Sequence, residues 1–309
     1  MTDPLRPLDL SGVYTALITP FTRDGWVDEA ALADLIEYQI ESGVSGLVPC
    51  GTTGESPTLS HDEHDHVVDF TVRQAAGRVH VIAGTGSNAT SEAIRLSQHA
   101  EMSGVDGVLL INPYYNKPTQ KGLYEHFRAV AEAVNIPVVL YNIQSRTAVN
   151  IETPTLVRLA QDCPNIVGVK EASGNLEQMA DVLEQRLPNF QVVSGDDNMV
   201  LDLVNLGGHG VISVAANIIP RQMAELVNLA RAGRTEEARE LEQTLSPFFR
   251  ACFAETNPIP IKTALAEYGW CEETFRLPMT TLEDEAHRTQ ILQALQGLDV
   301  PRREPQRSR

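Results

Sequence analysis

Ile166-Val167-Gly168-Val169-Lys170-Glu171-Ala172 sets a lysine directly behind a four-residue apolar run. The run is apolar at successive positions rather than alternate ones, which is how a strand buried on both faces of a parallel sheet reads. Runs of the same kind occupy 12–19, 46–50, 79–84, 107–111, 136–141, 191–194 and 210–214. Each is followed by a polar loop and then a helix-like stretch, as at 29–41, 62–75, 91–102 and 119–134. About eight strand–helix units at a spacing of roughly 30 residues is the arithmetic of an α/β fold of the (β/α)8 TIM-barrel class. An open doubly wound sheet would show Gly-x-Gly-x-x-Gly after its first strand. Here the first run continues into Thr19-Pro20-Phe21 instead.

Helix boundaries are signalled in several places. Ser60 stands three residues before Glu63, the spacing of a capping box. Thr153-Pro154 and, more weakly, Ile219-Pro220 put a cap before a proline at the first helical position. The eighth unit ends near Pro220, so residues 1–220 are expected to form the barrel and carry the site. Residues 221–298 show only helical patterns, at 221–231, 236–249, 260–268 and 286–296, and are expected to form a C-terminal helical extension. Residues 299–309, ending Arg- and Pro-rich, are expected to be a disordered tail.

The 309 residues carry 24 Lys plus Arg against 41 Asp plus Glu, a net charge of −17. That balance argues against a nucleic-acid or anionic-membrane surface, though not against a locally positive cleft for a small anion. No run approaches the roughly 18 apolar residues of a membrane span, and Met1-Thr2-Asp3-Pro4-Leu5-Arg6 lacks the order of a signal peptide. Cys50, Cys163, Cys252 and Cys271 are scattered, which fits reduced thiols in a cytoplasmic protein rather than a zinc ribbon or disulfide scaffold.

Barrel chemistry sits at the C-terminal strand ends. Lys170 ends the sixth run, where burial would lower its pKa and leave an amine able to attack a carbonyl. An ion pair with a strand-end carboxylate such as Asp196 is the plain alternative. Tyr141, one strand earlier, is a proton shuttle beside such a lysine or a core tyrosine with a satisfied hydroxyl. Gly51-Thr52-Thr53-Gly54 offers backbone N–H groups and two hydroxyls to a small carboxylate, or is only a tight turn; no Gly-Lys-Ser/Thr follows to make it a P-loop. Arg146 is a bidentate carboxylate clamp or a solvated loop charge. His61, His64 and His66 do not share one helix face, so a metal site is not expected. Gly207, Gly208 and Gly210 precede the last strand and read as tight packing at the barrel bottom.

Taken together, the motifs resemble the dihydrodipicolinate synthase family, among the pyruvate-dependent class I aldolases that include the N-acetylneuraminate lyases. They are Gly-Thr-Thr-Gly-Glu at 51–55, Pro-Tyr-Tyr-Asn-Lys-Pro at 113–118, Ser-Arg-Thr at 145–147, Val-Lys-Glu-Ala at 169–172 and Ser-Gly-Asp-Asp at 194–197. Gly-Gly-His-Gly-Val-Ile-Ser at 207–213 and Asn-Pro-Ile-Pro-Ile-Lys at 257–262 match as well. The resemblance implies a lyase of the diaminopimelate and lysine pathway, in which Lys170 forms a Schiff base with pyruvate and the enamine adds to L-aspartate-4-semialdehyde. It implies a proton relay of Tyr141, Thr52 and Tyr115, with Tyr115 given by a neighbouring subunit. Thr53, Gly195 and Ile212 fall on pyruvate-site positions, and Arg146 on the residue that receives the semialdehyde carboxylate. No cofactor is implied. A homotetramer, as a dimer of dimers, is usual in such a family.

The resemblance also implies feedback inhibition by lysine, with Ser56, His61, His64, Asn88, Glu92 and Tyr114 at the matching positions. Two departures stand out. Pro57 replaces a small residue and stiffens its loop. Gln144 replaces a proline that would preset the loop of Arg146. A sialic-acid or 2-keto-3-deoxy sugar-acid aldolase is the near rival, but sialic-acid lyases resemble Gly-Ser-Thr-Gly-Glu in the first loop and lack the Arg146 run. A non-catalytic barrel that binds a small ligand is the distant one.

Overall fold

The computed structural model describes residues 7–303. The strands are β1 (Gly12–Ala16), β2 (Gly46–Val48), β3 (His80–Gly84), β4 (Gly107–Ile111), β5 (Val138–Asn142), β6 (Ile166–Glu171), β7 (Gln191–Ser194) and β8 (Gly210–Ser213). They close in sequence order into one barrel, and β1 pairs with β8 in parallel to seal it. The TIM-barrel expectation therefore holds. The helices between strands are α1 (Glu29–Glu41), α2 (His61–Ala75), α3 (Thr90–Ser103), α4 (Gln120–Ala131), α5 (Gln144–Thr147), α6 (Thr153–Asp162), α7 (Leu176–Gln185) and α8 (Val200–Asn205). The chain continues through α9 (Pro220–Arg231), α10 (Thr235–Ala251), α11 (Ile259–Glu267) and α12 (Glu285–Leu295).

Two apolar clusters explain why the strands are apolar throughout. Inside the barrel lie Tyr14, Ala16, Val48, Ile82, Leu109, Val139, Tyr141, Val193 and Ile212. Val13, Leu47, Val108, Leu140 and Val169, their strand neighbours, face the helices. Room for Tyr14 comes from Gly46, where a Cβ would stand 2.2 Å from the tyrosine ring. The bottom is closed by the N-terminal segment, with Gln191 bonded to both Leu8 and Leu10.

One irregularity decides which side chains face inward. Val138 pairs with Ile166, but Val139 pairs with Gly168, so β6 carries an extra residue at Val167. A one-residue slip turns every following side chain to the opposite face. Beyond the bulge, Lys170 pairs with Tyr141, and both point into the barrel mouth while Glu171 faces outward.

Ser60 and Glu63 form the capping box. At α6 the cap differs from the expectation: Thr153 is already helical and Glu152 holds the cap position without a side-chain bond. α9 lies beyond the expected barrel boundary, yet it packs on β1 and α8 and so completes the outer ring of helices. α10, α11 and α12 pack on one another beside it. Of the tail expected to be disordered, residues 304–309 lie outside the described residues. Residues 301–303 pack on the body, where the Trp270 indole donates to Pro301 O and Arg303 N to Tyr268 O.

Candidate active site

Lys170 projects into a narrow cavity of about 30 Å³ at the C-terminal mouth of the barrel, lined also by Thr52, Thr53, Tyr141, Arg146 and Gly195. It is 5% exposed. Burial pulls its pKa down from the ordinary lysine value to about 8, against the opposing pull of Asp196 and Asp197. Its ammonium lies 4.2 Å from the centre of the Tyr141 ring. The ion pair with Asp196 does not form, and Lys170 makes no hydrogen bond or ion pair among the described residues. Asp196 lines the same cavity, and burial raises its carboxyl pKa. Gly195 is required beside the lysine: a Cβ there would lie 2.9 Å from Lys170 Cε and 2.5 Å from Ala172 Cβ.

Tyr141 is buried, and burial pushes its phenol up to about 12, while a hydrogen bond with Thr52 works in the other direction. A phenol that holds its proton, beside a hydroxyl and an amine of lowered pKa, can pass a proton along without ionising outright. Thr52 and Thr53 sit in the loop after β2, which is held at both ends. Thr19 Oγ1 donates to Gly54 O at 2.7 Å. Glu55, left-handed at φ +52°, is buried against the Lys262 ammonium at 2.6 Å. Thr53 Oγ1 accepts from Asn257 Nδ2 at 3.0 Å. Arg146, on the four-residue α5, donates from Nη2 to Asn257 O at 3.1 Å.

The other expected residues divide. Ile212 is fully buried in the barrel interior and does not line this cavity, whereas Val214 does. Tyr115 is 90% exposed, left-handed at φ +73°, and lines neither cavity of its own chain.

A second, larger cavity of about 430 Å³ adjoins the first and shares Thr52, Tyr141 and Arg146 with it. Ser56, His61, His64, Glu92 and Tyr114 line it, as does Pro57. Glu92 is held below the usual carboxylate range by hydrogen bonds from Ser87 and then His61, the latter at 2.7 Å. His64 Nε2 bonds Gly84 O at 2.8 Å, and burial lowers its pKa. Asn88 does not line the cavity; its main-chain oxygen accepts from Asn116 Nδ2 at 2.8 Å. No cluster of three His, Cys, Asp or Glu able to hold a metal occurs among the described residues.

Asn257, Lys262 and Asp196 all lie within the matching motifs, but the sequence assigns no role to Asn257 or Lys262 and reads Asp196 only as an ion-pair partner. One signal was present: α11 is apolar around nearly its whole circumference, so a lysine in its middle must be buried and needs a partner.

Comparison with known proteins agrees with this geometry. The profile of the dihydrodipicolinate synthetase family matches residues 9–297. The 4-hydroxy-tetrahydrodipicolinate synthase of Nitratidesulfovibrio vulgaris (strain DP4) is 54% identical over 276 residues, covering 89% of this chain and 94% of that protein. The crystal structure of dihydrodipicolinate synthase from Aquifex aeolicus superposes with a TM-score of 0.93 at 46% identity, covering 96% of this chain and 100% of that one. The enzyme from Cyanidioschyzon merolae, solved with lysine bound, superposes with a TM-score of 0.89 at 42% identity over 92% of this chain and 97% of that one. The chain belongs to the dihydrodipicolinate synthetase family.

Proposed function

We infer that the protein is a 4-hydroxy-tetrahydrodipicolinate synthase, a Schiff-base lyase that condenses pyruvate with L-aspartate-4-semialdehyde in the diaminopimelate route to lysine. The observation that carries this reading is a buried amine of lowered pKa, free of any ion pair among the described residues, set beside a protonated phenol at the barrel mouth. Lys170 Nζ attacks C2 of pyruvate and, as water leaves, becomes an imine. The imine draws electrons from the methyl group, which loses a proton to give the enamine. The enamine carbon adds to the aldehyde carbon, and the resulting alkoxide takes a proton. The amino group of the new chain then attacks the imine carbon, expels the Lys170 amine and closes the ring.

Tyr141 and Thr52 move the protons in these steps. Thr53 and the Gly195 backbone hold the pyruvate carboxylate, with Ile212 behind them in the wall. Arg146 receives the carboxylate of the semialdehyde. The imine is itself the electron sink, so the chemistry calls for no organic cofactor or metal. Tyr115 reaches a neighbouring subunit's site, which its exposure supports. At least a dimer follows from that sharing, and family membership makes a tetramer, as a dimer of dimers, the assembly to expect. The protein works in the cytoplasm.

The larger cavity takes lysine as a feedback inhibitor. Glu92, ionised between Ser87 and His61, would pair with the ligand's ammonium. Ser56, His64 and Tyr114 would supply the other polar contacts from the cavity wall, whereas Asn88, expected among them, stands outside it.

Steady-state turnover tests the acceptor. With pyruvate saturating, aspartate-4-semialdehyde is expected to be consumed at least ~100-fold faster, by kcat/KM, than N-acetylmannosamine or glyceraldehyde, as a site built around a carboxylate clamp should discriminate. Comparable or faster use of a sugar aldehyde would overturn the assignment in favour of a sugar-acid aldolase.

A further inference from the structure

We propose that Asn257 is a positioning residue that sets the Thr53 hydroxyl as a hydrogen-bond donor to the carboxylate of bound pyruvate; this rests on the pyruvate reading above. Thr53 is 3% exposed and lines the Lys170 cavity. A hydroxyl has one proton to give and two lone pairs to receive. Asn257 Nδ2 occupies a lone pair of Thr53 Oγ1 at 3.0 Å. Thr53 Oγ1 donates to no group among the described residues, so its proton is left for whatever fills the cavity. An amide nitrogen donates at every working pH, so this polarity does not reverse as the surroundings titrate.

The same residue fixes the other anion-holding group. Its main-chain oxygen accepts from Arg146 Nη2 at 3.1 Å. Asn257 therefore stands between a hydroxyl and a guanidinium in one cavity wall. Its own Oδ1 is buried without a hydrogen-bond partner among the described residues. The bond to Thr53 is thus the one hydrogen bond that the Asn257 side chain makes among the described residues. Asn257 reaches the barrel mouth from the segment leading into α11, which Lys262 locks to Glu55 below the same loop. This gives the C-terminal helices a part in substrate binding and not only in packing.

The two contacts separate on mutation. Asn257→Ala removes the side-chain donor to Thr53 but keeps the main-chain oxygen for Arg146. The readout is the pyruvate concentration that half-saturates the borohydride-trapped imine, followed by intact mass without the second substrate. Asn257→Ala is expected to raise it about tenfold, the scale of one misdirected hydrogen bond to a charged group. The KM of the semialdehyde should change less than about twofold, because Arg146 keeps its partner. Thr53→Val should raise the pyruvate half-saturation by a similar factor, and adding Asn257→Ala to it should raise it no further, as residues acting through one another are non-additive. Asn257→Asp, close in shape, can only accept from Thr53 and adds a negative charge. It should exceed the alanine variant in effect.

An unchanged half-saturation in Asn257→Ala, or a full further rise in the Thr53→Val background, would overturn the proposal. An Asn257→Asp variant that binds pyruvate as the wild type does would overturn it too. Absence of any adduct in the wild type would instead remove the pyruvate reading itself.

Discussion

Lys170 and Lys262 are both shut away from water, at 5% and 0% exposure. Each holds its ammonium against an aromatic face, Tyr141 at 4.2 Å and Phe21 at 4.1 Å. Burial pulls the pKa of both down. The difference lies in what stands opposite. Lys262 meets the Glu55 side chain at 2.6 Å in a closed, buried pair. Lys170 has only the longer-range field of Asp196 and Asp197 and opens onto a cavity. An unpaired buried amine can shed its proton and react; a paired one is spent on structure. The pair also serves the site from below, since Glu55 ends the loop that carries Thr52 and Thr53 and also accepts from Arg276 N at 3.3 Å.

Exchanging the fates of these lysines separates the roles. Lys170→Ala should lower turnover by about 10⁴-fold or more, the loss expected when a covalent nucleophile is deleted. Its urea midpoint should hold or rise, because an unpaired buried charge has been removed. A sharp fall in stability would break the contrast. Lys262→Met should do the reverse, costing about 3–5 kcal/mol in urea unfolding because Glu55 is left uncompensated. The folded fraction should still form the pyruvate adduct. Glu55→Gln with Lys262→Met should recover most of that stability, which a double-mutant cycle reads directly.

A smaller effect is expected at the neighbouring phenol. Tyr141→Phe keeps the ring under the ammonium but removes the relay proton, so kcat should drop about 10²–10³-fold, the range for a positioned acid–base group. Pyruvate half-saturation should move little. The gentlest probe is pH. With Lys170 titrating at about 8, the rate of imine formation should rise about tenfold per pH unit below that value and level off above it. Stability follows with a definite sign. Between about 8 and the ordinary lysine value of 10.5, the unfolded chain binds the proton that the folded chain has lost, so stability rises with pH across that window. A Lys170→Met variant should lose the share of that slope that Lys170 carries and keep the share carried by Lys262, whose pKa burial also lowers.

The barrel was readable because burial on both faces writes itself as unbroken apolar runs. The run at 107–111 coincides with β4, and that at 191–194, apolar only at its two central residues, with β7. Lys170 was readable as a residue, but its direction was not. The extra residue at Val167 turns it inward, and no periodicity in a strand apolar on both faces marks such a bulge. Arg146 and Thr53 stand out in the sequence and do line one cavity, while Asn257, which bonds to both, lies 111 and 204 residues away in sequence. Such separations leave no local trace. The boundary at Pro220 marks the end of the strand pattern, yet α9 packs on β1 as a barrel helix. A helix that covers a barrel and one that packs on other helices show the same amphipathic stripe. Tyr115 is exposed and lines neither the Lys170 cavity nor the larger one beside it, a placement that sequence spacing does not supply.

The most direct test of the contrast is peptide mapping of the full chain after incubation with pyruvate and borohydride. The reduced adduct is expected on the peptide holding Lys170 and on no other, with Lys262 unmodified. An adduct on Lys262, or none on Lys170 in folded protein, would contradict the assignment of the unpaired lysine as the reactive one.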